Sequence, residues 1–366
     1  MTATKFSLAL LGASAAIALT AAGCAKKPET PPASTVETAV ANAPARAPAP
    51  AGAEMQMVLD KLASLGGKPP ESLDPVEARK QPTPADAVKA LMTAKGMSTA
   101  PDPAVTTKNV TYPAGVGTQK ARVYMPAGAK GPLPVVLYIH GGGWVIADID
   151  VYDASPRALA KAANAIVVSI EYRHAPEAKF PAAHDDSNAA YQWVVANAAK
   201  WGGDPKKIAL VGESAGGNMA VAVAIAARDK GWPKPLAVVA IYPVANTGDT
   251  ASKATYAAAK PLNKPMLDWF FKHTLSSPDQ ASDPRLNLVA AKLDGLPPTT
   301  IILAQIDPLH DDGMGLADKL KAAGVTVDLK EYAGVTHEFF GMGAVVPAAK
   351  EAEEYAASKL KAAFGT

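Results

Sequence analysis

Ser214 lies in a motif whose spacing could support nucleophilic catalysis. The motif is G-E-S-A-G-G, Gly212 to Gly217, and it stands between an apolar run, K-I-A-L-V-G, and a helix-like run that begins A-G-G-N-M-A-V-A. A strand-to-helix turn of the form G-x-S-x-G projects its serine from the end of a sheet, and small flanking residues relieve backbone crowding. The helix N-terminus also favours negative charge on the serine oxygen. The motif predicts a nucleophile; the alternative is a glycine-rich turn with an inert serine.

A second glycine-rich motif, H-G-G-G-W at His140 to Trp144, directly follows the apolar run L-P-V-V-L-Y-I-H. Acyl transfer passes through a tetrahedral oxyanion, which backbone N–H donors must approach closely. Consecutive glycines permit that approach, so we expect an oxyanion hole formed by the N–H groups of Gly141, Gly142 and Ala215. A phosphate-binding loop is a poorer interpretation, because the G-x-x-x-x-G-K-[ST] spacing is absent.

A nucleophilic serine needs a histidine base, which in this type of site follows the serine and an acid along the chain. Of the six histidines, only His273, His310 and His337 follow Ser214. His337 lies in the loop A-G-V-T-H-E-F-F-G after a strand-like run, and we predict that it is the general base. A loop histidine that caps a neighbouring backbone is the alternative. His273 is expected to pack or to face solvent, and His310 to lie at the surface.

Three carboxylates compete for the role of the acid: Asp307, Asp311 and Asp312. Asp307 ends the apolar run T-T-I-I-L-A-Q-I, which would place its side chain at the edge of a sheet. The other two begin a helix-like run, where aspartate serves as a cap or as an N-terminal charge. We therefore predict that Asp307 accepts the His337 N–H and stays ionised. Glu213 is expected to be a supporting carboxylate, since neighbouring side chains on a tight turn point apart.

Strand-like and helix-like runs alternate through the chain after Pro103, which predicts βαβ units and a mostly parallel sheet of the α/β class. The predicted strands are 121–127, 133–140, 165–172, 207–212, 235–244, 299–307 and 325–332. The predicted helices between them are about 153–164, 182–200, 214–230, 312–323 and 346–363. The segment 246–296 breaks the alternation and is expected outside the sheet, and two helices are expected earlier, from Met55 and within 83–96.

Residues 1–53 are unlike the rest of the chain. Residues 1–23 carry a short basic start and an apolar run, which predicts a signal peptide; an uncleaved anchor helix is the alternative. The L-T-A-A-G-C segment resembles a bacterial lipoprotein box, and Cys24 is the only cysteine, so lipidation at Cys24 is expected. A soluble secreted or periplasmic protein is the alternative. Residues 24–53 are rich in alanine and proline, which indicates a tether between the membrane and a folded body at 54–366.

The charge of the chain gives no reason to expect a nucleic-acid partner. Thirty-six basic and thirty-four acidic residues give a formal charge of +2, with the basic residues dispersed, so no nucleic-acid partner is expected. One cysteine rules out an internal disulfide. Serine-based acyl transfer needs no metal or organic cofactor, and the compact H-D-D segment at 310–312 is too small to form a metal site alone.

The ordered motifs resemble those of the bacterial hormone-sensitive-lipase-like esterases. Besides the motifs already described, the match includes Y-R-H-A-P-E, F-P-A-A, G-G-D-P-K-K-I, D-P-R, D-P-L and H-E-F, in family order over roughly residues 55–365. The resemblance implies an α/β-hydrolase fold and a cap formed by about 54–100 and 246–280. It also implies a Ser214–Asp307–His337 triad and carboxylester substrates with rather short acyl chains.

Three other functions remain open at this point. An amide-directed hydrolase, such as an arylformamidase or a peptidase, could use the same fold and triad, because the fold does not separate esters from amides. A lipase for long chains is less favoured, because the cap would have to open onto an apolar interface. A non-catalytic binding protein could keep the fold, although it would have little reason to retain Ser214, Asp307, His337 and the glycine loop. Oligomeric state and the physiological ester are not predicted.

Overall fold

In the computed structural model, which describes residues 49–366, eight strands form one sheet in the order β1-β2-β4-β3-β5-β6-β7-β8. Strands β1 and β2 are antiparallel to their neighbours, and β3 to β8 are parallel. The strands are β1 Val105–Ala114, β2 Gly117–Pro126, β3 Leu133–Ile139, β4 Ile166–Ile170, β5 Gly203–Glu213, β6 Val238–Ile241, β7 Thr299–Ile306 and β8 Val327–Thr336.

Helices cover both faces of this sheet, so the predicted fold class, an α/β-hydrolase fold with a mostly parallel sheet, is confirmed. The α-helices are α1 Ala53–Ser64, α2 Pro75–Ala78, α3 Pro84–Ala94, α4 Ala154–Ala163, α5 Ala182–Asn197, α6 Ala215–Asp229, α7 Ala251–Thr255, α8 Lys264–Thr274, α9 His310–Ala322 and α10 Pro347–Phe364. Short 3-10 helices occupy Pro70–Ser72, Ala198–Trp201, Pro278–Ser282 and Leu288–Ala290.

The central strands are apolar on both faces because both faces are covered. Along β3, Val135, Leu137 and Ile139 enter one core cluster. The intervening Val136 and Tyr138 enter the other. This explains why the central strands read as continuous apolar runs in the sequence rather than as alternating ones.

Strand β1 was not predicted, and its composition explains why. It pairs with β2 through a tight connection in which Ala114 faces Gly117. Six of its ten residues are exposed, since it lies at the edge of the sheet and faces solvent. An edge strand with few buried positions carries no apolar run, so only its pairing with β2 identifies it.

The two segments assigned to a cap contact each other. The Asn263 Nδ2 amide, at the start of α8, donates to Glu71 Oε1 at 2.7 Å. The Trp269 indole N–H donates to the Leu73 backbone oxygen at 3.0 Å. These bonds join α8 to the chain between α1 and α2, more than 190 residues apart along the sequence.

The predicted signal peptide, Cys24 and the tether as far as residue 48 lie outside the described residues. Within residues 49–366, none of the helices combines the length and the apolar character needed to cross a bilayer.

Candidate active site

Ser214 occupies the turn between β5 and α6, with a backbone φ of 56° and ψ of −118°. A positive φ is strained for a residue other than glycine, and such strain is concentrated at functional sites. The turn is also crowded: a Cβ atom on Gly212 would collide with the Gly216 carbonyl, and one on Gly216 would collide with the Ile139 carbonyl. The glycines on either side of Glu213–Ala215 are therefore required by the close approach of three backbone segments.

The loops after β7 and β8 bring Asp307 and His337 to this turn. His337 Nε2 lies 3.0 Å from Ser214 Oγ, and His337 Nδ1 lies 2.7 Å from Asp307 Oδ2. Asp307 is also held by the Leu309 N–H, which donates to its Oδ1 at 2.8 Å. With Nδ1 donating to the carboxylate, Nε2 presents its lone pair to the serine hydroxyl, as a general base must.

The charge state of His337 is set by opposing effects. Its ring is buried, with 3% exposure, and burial is the largest single influence, lowering its pKa. The charge of Asp307 and its hydrogen bond oppose this, with smaller contributions from Glu338 and Glu213, and the net result is a pKa raised above the usual value. The imidazolium that forms when His337 takes a proton is thereby stabilised in a buried site.

The loop after β3 places Gly141, Gly142 and Gly143 beside the serine turn. A Cβ on Gly141 would collide with the Tyr152 hydroxyl and approach the Glu213 carbonyl at 3.1 Å. Gly142 has a φ of 94°, and Gly143 a φ of 57° with the Phe270 ring against it. Each glycine is thus required by positive φ or by contact. Gly141, Gly142 and Ala215 lie at the ends of adjacent strands β3 and β5, where the sequence placed the oxyanion donors.

A cavity of about 880 Å³ opens above Ser214 and His337. Its walls come from the body of the fold, from the chain around α1 to α3, and from α8. The apolar side chains that line it include Leu59, Leu62, Leu267, Phe270 and Phe271. Its volume lies in the range of small-molecule sites. Its lining combines these apolar side chains with polar and charged ones, among them Arg79 and Glu338.

The family model described as "alpha/beta hydrolase fold" matches residues 136–341, more than half of the chain. This chain belongs to that family. The carboxylesterase NlhH of Mycobacterium tuberculosis is 42% identical over 248 residues, which are 66% of this chain and 78% of that protein. The ethyl acetate hydrolase of Pseudomonas putida is 35% identical over 239 residues, 64% of this chain and 75% of that protein.

Solved structures agree with the sequence relatives. An esterase from Pyrobaculum calidifontis superposes with a TM-score of 0.77 at 34% identity, covering 86% of this chain and 99% of that chain. A thermostable esterase from Pseudomonas putida superposes with the same TM-score at 32% identity, covering 86% of this chain and 98% of that one. These similarities support the resemblance to hormone-sensitive-lipase-like esterases.

The competing carboxylates of this α/β-hydrolase hold other parts of the fold. Asp311 accepts the Ser252 N–H at 2.8 Å. Asp312 accepts the N–H groups of Ala245 and Asn246 at 3.1 and 2.9 Å and pairs with Lys253 at 3.0 Å. Both lie in the first turn of α9, as expected, but their bonds tie that helix to the chain after β6.

The two other histidines that follow Ser214 along the chain contact other residues. His273 packs edge-on against Trp269, with ring centroids 4.6 Å apart. His310 was expected at the surface, but only 15% of its side chain is exposed, because its two nitrogens face Asp311 and Glu331 at 3.1 and 2.9 Å. Those carboxylates, the Asp311 hydrogen bond foremost, raise the pKa of His310.

Glu213, the residue before Ser214, is held by two tyrosines. Its buried carboxylate accepts the hydroxyls of Tyr138 and Tyr242, one on each oxygen. Burial, with the charge of Glu338 second, raises the pKa of Glu213 to about 8. It does not line the cavity, which agrees with the expectation of a supporting carboxylate.

Glu338 and Tyr152 line the cavity beside His337, and neither was predicted to have a role in the site. Glu338 Oε1 lies 3.7 Å from His337 Nε2, and the Tyr152 hydroxyl lies 2.7 Å from each Glu338 oxygen. Adjacency to His337 was the available signal for Glu338. No local pattern could have indicated Tyr152, which is 186 residues away from its partner.

Three side chains at the base of the glycine loop could together hold a metal ion. The ligand atoms of His140, Glu171 and His174 lie within 4.8 Å of one another. His140 Nδ1 lies 2.8 Å from the Gly141 oxygen, and its Nε2 lies 3.2 Å from Glu171 Oε1. These bonds give two of the three groups a structural task, which is to brace the loop that carries Gly141 and Gly142.

Proposed function

We propose that this carboxylic ester hydrolase cleaves small-molecule esters of short to medium acyl chains through a covalent acyl-enzyme on Ser214. The observation that carries the proposal is the continuous Ser214–His337–Asp307 hydrogen-bond chain, of which Ser214 and His337 line the cavity. The names of the relatives, a carboxylesterase and an ethyl acetate hydrolase, support ester substrates.

In the acylation step, His337 Nε2 takes the Ser214 proton as Oγ attacks the ester carbonyl. The N–H groups of Gly141, Gly142 and Ala215 hold the resulting oxyanion, and each donor of this kind contributes a rate factor of about a hundred to a thousand. The bond to the alcohol oxygen then breaks, and the alcohol leaves with the proton from His337. Asp307 remains ionised and stabilises the imidazolium throughout.

In the deacylation step, water attacks the acyl carbon and gives a proton to His337. The bond between the acyl carbon and Ser214 Oγ breaks, Oγ recovers the proton from His337, and the carboxylic acid leaves. All proton transfers involve one nitrogen, Nε2, because Nδ1 is bonded to Asp307.

The cavity supports substrates larger than a simple acetate. Its volume of about 880 Å³ exceeds what a short acyl chain fills. The apolar walls near α1 and α8 suit either a medium acyl chain or a bulky alcohol.

The first test is hydrolysis of p-nitrophenyl esters from acetate to palmitate by the purified protein and by Ser214→Ala. We expect activity to peak at short or medium chains and kcat to fall by about three orders of magnitude or more in Ser214→Ala. Ser358→Ala, on an exposed position of α10, is the matched control and should be unaffected. Activity that rises with chain length would indicate a lipase, and activity on amides alone would refute ester selectivity.

We also propose that the chain is exported and anchored to a membrane through lipid on Cys24. The support is the L-T-A-A-G-C segment after an apolar leader and the alanine- and proline-rich tether that follows. Mass spectrometry of the mature N-terminus should find a lipidated Cys24. An unmodified cysteine, or cleavage at another position, contradicts the proposal.

A further inference from the structure

A second carboxylate stands on the reactive side of His337. Asp307 contacts Nδ1, on the far side of the ring. Glu338 Oε1 lies 3.7 Å from Nε2, the nitrogen that faces Ser214 Oγ. Glu338 lines the cavity with Ser214 and His337, so its carboxylate borders the space in which the reacting groups meet.

The position of this carboxylate is built into the fold. Tyr152, which is buried, directs its hydroxyl to both Glu338 oxygens at 2.7 Å. Glu338 has a backbone φ of 68°, a conformation that a residue other than glycine adopts only when its surroundings impose it. The Tyr152 hydroxyl can reach this point only because residue 141 has no Cβ.

The charge of a carboxylate at this position acts alike on acylation and deacylation, because an imidazolium and an oxyanion form in both steps. The two nucleophiles differ in their O–H groups: the serine hydroxyl has one proton, which passes to His337, so it has no second O–H for Glu338 to hold. Water differs from serine in having a second O–H. When water gives one proton to Nε2, a fixed acceptor 3.7 Å from Nε2 is close enough to hold the other O–H of the same water and to orient the oxygen lone pair.

We propose that Glu338 orients the hydrolytic water during deacylation and thereby favours transfer of the acyl group to water over transfer to alcohols. This rests on the proposed Ser214 acyl-enzyme. The water forms its bond to the acyl carbon and gives one proton to His337 Nε2. Its second O–H donates a hydrogen bond to Glu338 Oε1 and stays on the oxygen, becoming the hydroxyl of the product acid. Glu338 takes up no proton, and the bond from carbon to Ser214 Oγ breaks as before.

An alcohol provides the discriminating experiment, because it has a single O–H and therefore offers nothing for Glu338 to hold. Wild type and Glu338→Leu are supplied with p-nitrophenyl butyrate and methanol, and methyl butyrate and butyric acid are quantified. We expect the ratio of methyl ester to acid to rise about tenfold or more in Glu338→Leu. Glu338→Gln keeps an acceptor oxygen without the charge and should give an intermediate ratio.

Steady-state kinetics give an independent readout. Slower deacylation lowers kcat and KM together, whereas kcat/KM, which reports acylation, should change by less than about threefold in Glu338→Leu. The acid limb of kcat/KM should move to lower pH in either case, because Glu338 contributes to the raised pKa of His337. If Glu338 only stabilised the imidazolium, kcat/KM would fall with kcat and the product ratio would stay constant. Those two results together overturn the proposal.

A second variant keeps the test valid if Glu338→Leu folds poorly. Tyr152→Phe leaves the carboxylate in place but removes its anchor, so the product ratio should move in the same direction by a smaller factor. An unchanged ratio in Tyr152→Phe and Glu338→Gln contradicts the role of Glu338. Absence of acylated Ser214 in quenched wild type, by intact mass, instead refutes the proposed function itself.

Discussion

In the proposed mechanism, the reactivity of Ser214 depends on which nitrogen of His337 carries the proton. Asp307 fixes that choice by accepting from Nδ1 at 2.7 Å, which leaves Nε2 free to accept from the serine. The same contact raises the pKa of His337 against the opposing effect of burial. Because only the neutral ring can act as a base, the raised pKa places the acid limb of kcat/KM above the pH expected for an ordinary histidine.

Replacing Asp307 separates these effects. In Asp307→Asn we expect kcat to fall by about four orders of magnitude, because the amide favours the wrong tautomer. The acid limb of kcat/KM should also move to lower pH, because the imidazolium loses its counter-charge and its pKa falls.

The measurement is kcat/KM for a p-nitrophenyl ester between about pH 5 and about pH 9. Asp311→Asn is the matched control, since its carboxylate bonds to the Ser252 N–H rather than to His337. An acid limb that stays in place in Asp307→Asn would contradict the assigned cause of the raised pKa.

At the scale of elements, the β5–α6 turn holds Ser214 because three segments of backbone pass unusually close together. The Gly216 Cα faces the carbonyls of Ile139 and His140 at the end of β3. The first turn of α6 can thus approach β3 this closely only because residue 216 has no side chain. The same close approach places the glycine loop after β3 beside Ser214.

Gly216→Ala should therefore be strongly destabilising. The new methyl group meets backbone atoms, which cannot rotate away, so we expect the free energy of unfolding to fall by about 3 kcal/mol or more. Urea unfolding measures this. Gly117→Ala is the control: it has open space around it and no positive φ, and should change stability by less than about 0.5 kcal/mol. Equal effects in both variants would show that the crowding is relieved by a small shift of α6.

At the scale of the whole molecule, burial dominates the ionisation of several carboxyl groups among residues 49–366, although each has hydrogen-bond partners. Burial raises the pKa of Glu213 to about 8, that of Glu353 to about 7 and that of Asp312 to about 6. Each is protonated in the folded protein at a pH where the unfolded chain is ionised. The unfolded state then binds fewer protons, so stability decreases as pH rises from about 4.5 towards these values.

Replacing Glu353, which lies on α10, tests this pH dependence of stability without changing a residue of the candidate active site. Glu353→Gln removes a group whose pKa rises on folding, so the stability of the variant relative to wild type should increase with pH between about 4.5 and about 7. The relative gain should reach as much as about 3 kcal/mol. Urea unfolding at the two pH values measures it, and Glu351→Gln, exposed on the same helix, serves as control. A pH-independent difference would show that Glu353 is not protonated in the folded state.

The sequence by itself determined the elements and motifs whose cause is local. Backbone crowding in a strand–turn–helix requires small residues at consecutive positions, so Gly212 to Gly217 identified the serine turn. A strand that is buried on both faces of the sheet has a continuous apolar run, so the parallel strands were recognisable. Strand β1 was not recognisable, because it is stabilised by its pairing with β2 and its own composition does not indicate a strand.

Only the tertiary structure decided which polar groups meet. Three aspartates lie within six residues after β7. Asp307 follows the last residue of β7 and reaches His337, whereas Asp311 and Asp312 lie in the first turn of α9 and do not. The contacts of Glu213 with Tyr138 and Tyr242, and of Glu338 with Tyr152, join residues 29 to 186 positions apart. Such pairs depend on the order of the strands in the sheet and on the burial of polar groups away from water. Neither of these two causes produces a periodic pattern in the sequence.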